Sequence, residues 1–285
     1  VYSFTIPQMP SSEAYTKILV DRNNYKWLIS PKSKKVAVFD DNGTLSNTAD
    51  DRIQINSNMP GSKLYAIAED KDGEVWVGTD EGVAVFYNSS SIFDENIEAE
   101  QILIQQDGIT QILLESEGIY AIAIDGANRK WLGTQNSGVY LMSEDGTEEI
   151  EHFTTDNSPL FSNTVYDIVI NDETGEVYFG TEKGLISYKG TATEPVSDFN
   201  IFVYPNPVKP DYEGVIAIRG LVEDTDVRIT DISGNIVYET TSLGGQAIWN
   251  GKDYYGNRVK SGVYMVFNGS QDGSKKAAAK ILFIN

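Results

Sequence analysis

The chain of 285 residues has no cysteine, a single histidine, and only 22 basic side chains against 42 acidic ones, a net charge of −20. The missing cysteines exclude a disulfide framework, thiolate metal sites and a cysteine nucleophile, and they assign no compartment. One histidine, His152, without cysteine cannot build a typical zinc site, so neither a metal nor a cofactor is expected. It is also the only histidine a Ser-His-Asp triad has to draw on, and no Gly-x-Ser-x-Gly elbow precedes a helix. The shortage of positive charge excludes nucleic acid as a partner, because a phosphate backbone repels so acidic a chain. No window approaches the roughly 18 apolar residues of a transmembrane helix.

Apolar material is ample: 40% of the residues are hydrophobic, with 16 Tyr and 11 Phe, enough for a packed globular core. The length exceeds one domain of about 100 to 200 residues and predicts two. The first residues, Val1-Tyr2-Ser3-Phe4-Thr5-Ile6, lack the basic start and long apolar stretch of a signal peptide. This predicts a processed chain or a piece of something longer.

Self-comparison reveals a period of about 50 residues. The stretch from Leu64 to Phe86, with Trp76, Gly78, Thr79 and Gly82, returns from Ile119 to Leu141 with Trp131, Gly133, Thr134 and Gly138. A third copy from Val165 to Tyr188 has Tyr178, Gly180, Thr181 and Gly184, and a weaker one from Tyr15 to Phe39 keeps Trp27. Period-two alternation at Leu64, Ala66, Ala68 and at Val75, Val77, with turn residues at Lys71-Asp72-Gly73 and Asp80-Glu81-Gly82, predicts short strands. A further β-rich run stands upstream of each pair: Tyr2 to Ile6, Arg52 to Ile55, Gln101 to Ile104 and Glu149 to Thr154. Four strands per unit make a propeller blade, with blades expected at about 1–45, 46–95, 96–148 and 149–190. These sequences resemble the two-component-regulator propeller repeat, common in surface and periplasmic proteins of Bacteroidetes-type bacteria. Trp27, Trp76, Trp131 and Tyr178 are expected to be structural, packing between sheets, with Gly78, Gly133 and Gly180 fitting crowded turns. Rings of this repeat usually exceed four blades, so the array is expected to be part of a larger ring with its end faces covered by upstream chain or a second copy.

After Lys189-Gly190 the repeat stops, and 191–195 reads as a linker. Residues 196–285 hold 10 acidic and 9 basic side chains, which leaves 32 and 13 to the first 195, so the array carries a net −19 and the tail −1. Seven strand candidates occupy this tail: Ile201 to Tyr204, Val215 to Arg219, Val227 to Asp231, Ile236 to Glu239, Ala247 to Trp249, Gly262 to Phe267 and Ala277 to Ile284. They predict an Ig-like sandwich. The markers Tyr204-Pro205-Asn206-Pro207, Ile229 to Gly234, Trp249-Asn250-Gly251 and Gly262-Val263-Tyr264 resemble the C-terminal sorting domain of the type IX secretion system, a relative of the FlgD-type Ig fold. Asn250 departs from that pattern, which more often has Asp.

The order of array, Asn206 to Asp211 and Ile218 to Leu221 is most similar to PorZ-like surface proteins of that system. The resemblance implies a non-enzymatic component at the cell surface or outer membrane that works with a sortase, presents anionic lipopolysaccharide or glycan, and keeps its tail. Three other readings are weighed against it: an exported cargo or glycan-binding protein whose tail is a removable signal, the periplasmic sensor of a hybrid two-component receptor, and a polysaccharide-cleaving enzyme, for which no residue set stands out.

The remaining features have simple explanations. Asp70-Lys71-Asp72-Gly73-Glu74 imitates a calcium loop but has glycine at the fourth position instead of the sixth, which favours a β-turn. Lys32-Ser33-Lys34-Lys35 reads as a solvated loop, Tyr254-Tyr255 as a turn, Trp249 as core, and His152 as structural.

Overall fold

The computed structural model describes residues 15–32, 34–44, 46–94, 97–106 and 108–284; the expected run Tyr2 to Ile6 lies outside them. The protein is all-β, and the described residues contain one short 3₁₀ turn, Ser89–Ser91. Four antiparallel meanders make the repeats. The first is β1 Lys17–Val20, β2 Lys26–Ile29, β3 Val36–Asp40 and β4 Arg52–Asn56; the second is β5 Leu64–Glu69, β6 Val75–Thr79, β7 Gly82–Phe86 and β8 Glu100–Gln101. A separate hairpin follows, β9 Leu103–Gln106 with β10 Ile109–Ile112. The third meander is β11 Ile119–Ile124, β12 Lys130–Thr134, β13 Val139–Met142 and β14 Glu149–Phe153; the fourth has three strands, β15 Val165–Asn171, β16 Glu176–Thr181 and β17 Gly184–Lys189.

The upstream runs lie in other sheets than the sequence predicts. β4, β8 and β14 do not open the following units but pair with β3, β7 and β13, closing the preceding ones. Leu103 and Ile104 belong to the separate hairpin β9–β10. A repeat fixes spacing but not phase: the outer strand follows the third strand because a meander turns back on itself, and a period of 50 residues is equally compatible with either partner.

Cores form between successive sheets. Trp27 and Val38 of the first pack with Leu64, Val77 and Phe86 of the second, and Trp76 of the second packs with Ile119, Leu132 and Met142 of the third. Burying such a tryptophan face stabilises by several kcal/mol; truncation to Ala costs about 3 to 5 kcal/mol. Strands β3 and β7 are buried at every residue, whereas β17 is half-buried at best and Leu185 is 66% exposed.

The tail is a sandwich of seven strands: β18 Phe202–Tyr204, β19 Ile216–Arg219, β20 Thr225–Thr230, β21 Ile236–Thr241, β22 Gln246–Trp249, β23 Gly262–Ser270 and β24 Lys276–Phe283. One sheet has the order β18-β19-β22, the other β21-β20-β23-β24. All seven expected strands are present. Inward residues Ile216, Ile218, Val227, Ile229, Val266, Ile281 and Phe283 alternate along the strands and build one core around Trp249.

The chain divides into two compact units, and the division is not at the expected linker alone. The first unit holds the residues up to Ile124 with Asn128–Val169 and Tyr178–Ser187; the second holds Tyr188 onward with two hairpin turns, Asp125–Ala127 and Ile170–Val177.

Candidate functional site

The sorting-tail motif lies in the second unit, and most of it holds the sandwich together. Trp249 is buried, donates its indole N–H to the Lys252 carbonyl at 2.8 Å, and meets Tyr264 at 5.8 Å and Phe283 at 5.5 Å edge-on. Gly251 has φ +71°, and a Cβ there would stand 2.7 Å from the Phe283 ring, so this turn takes glycine. Tyr264 is buried with its hydroxyl donating to the Lys260 carbonyl at 2.9 Å. Burial raises the Tyr264 pKa, with the Asp231 charge adding to the shift. Gly262 has open space around its Cα, and Val263 points outward.

The opening stretch differs. Tyr204 is 70% exposed, and both Tyr204-Pro205 and Asn206-Pro207 are cis peptides. Between them Asn206 acts as a strand surrogate. Its side-chain amide donates to the Lys280 carbonyl at 2.8 Å and its oxygen accepts the Leu282 N–H at 3.0 Å. Val208 continues the pairing, donating to the Leu282 carbonyl at 2.8 Å and accepting from Ile284 at 2.9 Å. The outer edge of the last strand is thereby sealed over its C-terminal half.

Residues 191–195 are not an exposed tether. Ala192 and Thr193 are buried, and Thr193 bridges Gly244 in a parallel sense. Gly245 N–H donates to the Thr193 carbonyl at 2.8 Å, Glu194 N–H to Asp172 at 3.0 Å, and the Gln246 amide to Thr191 at 3.0 Å. A Cβ on Gly126 would run into the Thr193 carbonyl, and one on Gly245 into that of Glu194. Arg219 stands alongside, donating to Gln246 Oε1 at 2.6 Å and to the Thr174 carbonyl at 2.7 Å; burial lowers its pKa. Sequence reading missed this clasp because the residues that hold it, Gly126, Asp172 and Gly244 to Gln246, come from three distant segments, which only the fold brings together.

In the first unit the repeat residues occupy sheet-to-sheet packing positions. Trp27, Trp76 and Trp131 have no exposed surface, while Tyr178 is half-buried. A Cβ on Gly78 would meet the Ile119 carbonyl at 2.5 Å and one on Gly133 the Val165 side chain at 3.0 Å, so both allow the next sheet to approach. Gly180 has nothing nearer than 3.6 Å. His152 lies on β14, stacked 3.8 Å from Tyr140, with Nε2–H donating to the Ser137 carbonyl at 2.7 Å. Asp70 to Glu74 form the turn between β5 and β6. Among the described residues no group of three or more metal-ligating side chains is positioned to hold an ion, and no helix is long and apolar enough to cross a membrane.

These features define a propeller-repeat array carrying a secretion sorting domain. Residues 202–283 match the family described as Secretion system C-terminal sorting domain, and residues 58–81 match Two component regulator propeller. The chain is similar to PorZ of Porphyromonas gingivalis, described as an essential bacterial surface component of the type IX secretion system, at 30% identity and a TM-score of 0.66 over 100% of this chain. It spans 40% of the PorZ chain. The extracellular domain of a putative hybrid two component system from B. thetaiotaomicron matches at 13% identity and a TM-score of 0.46, covering 93% of this chain and 49% of its own. No curated protein sequence matches.

Proposed function

We propose that this chain is part of a non-enzymatic surface component of a type IX secretion machinery, its array contacting other proteins, a sortase among them, and its tail associating with the envelope through anionic lipopolysaccharide or glycan. The observation that carries this reading is the clasp at 191–195. A sorting tail that is to be cut off needs an extended, accessible junction; here Ala192 and Thr193 are buried and the backbone on both sides is hydrogen-bonded. A tail held in this way is a permanent part of the protein, as an attachment role requires. The charge division supports the same assignment, since a −19 array is repelled by an anionic glycan and a nearly neutral tail is not.

Mass spectrometry of the C-terminus of protein recovered from cells tests the reading. Retention of the whole sandwich, with residues 202–283 present, is the expected result, and chains ending between residues 188 and 198 would identify a cargo with a removable signal. Deleting residues 196–285 should release the array from the surface; undiminished surface display would overturn the attachment role.

A further inference from the structure

A lysine and two acids meet where the second meander packs on the third. Asp70 begins the turn between β5 and β6, and Lys130 begins β12. Both side chains are completely buried, with Lys130 Nζ 3.0 Å from Asp70 Oδ2. The carboxylate cannot turn away. Its Oδ1 accepts the backbone N–H of Asp72 and of Glu74, each at 2.9 Å, and its Oδ2 accepts the indole N–H of Trp76 at 3.0 Å. The amine is equally confined: it donates to the Asn128 carbonyl at 2.8 Å and to that of Glu144, and lies 4.8 Å from the centre of the Trp76 ring.

Glu74 stands beside this pair. Burial, and after it the Asp70 charge, pushes its carboxyl up to about 7, so near neutrality it both gives and takes a proton. It lines a cavity of about 720 Å³ together with Asp72, Tyr87 and Glu144, which provides an exit for a small molecule. The neighbouring repeats lack this constellation. The residue before the anchor aromatic is Val75 in the second meander and Val177 in the fourth, so neither Asp21 nor Asp125 has a lysine at the corresponding position of the next sheet.

We propose that Lys130 and Asp70 condense to an intramolecular isopeptide bond, with Glu74 carrying the proton. The Lys130 nitrogen attacks Cγ of Asp70, an N–C bond forms, and the Cγ–Oδ2 bond breaks. Glu74 takes the two protons that the ammonium gives up, one before the attack and one after it, and delivers each to Oδ2, which departs as water, so Glu74 ends in the state in which it began. One ammonium and one carboxylate become one neutral amide and one water, so atoms and charge balance without an oxidant or co-reactant. The two backbone N–H groups on Oδ1 are placed to hold the negative charge that develops there in the tetrahedral intermediate. Fixing amine and carboxyl in contact supplies the effective concentration the condensation needs. Two buried charges, each of which costs desolvation free energy, disappear. The product joins two sheets of the array covalently, independently of any role at the cell surface.

The test is the mass of the denatured full chain. The expected mass is one water below that of the sequence, and trypsin should release a branched peptide linking Lys130 to Asp70. Lys130→Arg should restore the full mass, and Glu74→Gln should slow bond formation by about a hundredfold. The branched peptide is read on the unaltered chain and so does not depend on a variant folding. A full sequence mass after prolonged incubation at neutral pH would overturn the proposal. So would a water loss that persists in Lys130→Arg, which would assign it to an imide at Asp72-Gly73.

Discussion

Trp27 donates its indole N–H to Oδ2 of Asp21 at 2.9 Å, and Trp76 repeats the bond with Asp70, again six residues earlier, at 3.0 Å. The aspartate does two things at once. Its Oδ1 closes the turn by accepting two backbone N–H groups, from Asn23 and Tyr25 in the first copy, while Oδ2 orients the large ring against the next sheet. The pair couples turn, strand and sheet-to-sheet packing in one residue spacing.

Asp21→Ala should therefore lower stability by about 2 to 4 kcal/mol, because three donors lose their acceptor in a buried setting. The urea midpoint should fall with an unchanged slope. A change under about 0.5 kcal/mol would show that water replaces the carboxylate without cost.

Gly245→Ala should open the clasp. The added methyl collides with the Glu194 carbonyl, and relief requires the junction strand to move, at a cost of about 1 to 3 kcal/mol. Limited proteolysis should then cut between residues 188 and 198, a segment that stays intact in the unaltered protein.

Asn206→Ala should destabilise the sandwich by about 1 to 2 kcal/mol by removing both bonds to the last strand. Hydrogen exchange at the Leu282 amide, protected by Asn206 Oδ1, should accelerate in the variant. Equal exchange in the two proteins would mean that the edge is sealed by Val208 alone.

Asp272, in the hairpin between β23 and β24, accepts from the Ser270 hydroxyl and from both the backbone N–H and the hydroxyl of Ser274, and these bonds lower its carboxyl to about 2. Its folded value lies below the unfolded 3.8, so its contribution is complete above that pH and disappears as pH falls toward 2. Carboxyl-carbon NMR should give a midpoint near 2, and Ser270→Ala should move it upward. A midpoint at the ordinary aspartate value would refute the bonding seen in this turn.

Legibility in the sequence followed the range of the interactions. The repeat was visible because each copy must bury a similar face, which forces Trp27, Trp76 and Trp131 to recur with their glycines and turns. The seven tail strands were visible for the same reason: period-two alternation and turn residues are local. The phase of the meanders was not, since pairing β4 with β3 instead of β5 leaves the spacing untouched. Reading 191–195 as a linker followed its composition, yet its neighbours Gly126, Asp172, Gly244 and Gly245 are separated from it by tens of residues.

The sequence by itself determined an all-β chain, an acidic array distinct from a neutral sorting tail, and the absence of thiol chemistry, because composition and short-range periodicity state these directly. Tertiary structure decided the rest: which strand closes which sheet, that Ala192 and Thr193 are clamped, and that Lys130 is set against Asp70 and Glu74. Each of these depends on a contact between residues far apart in the chain, and the free energy of such a contact is set by the packing and burial around it, which no local pattern records.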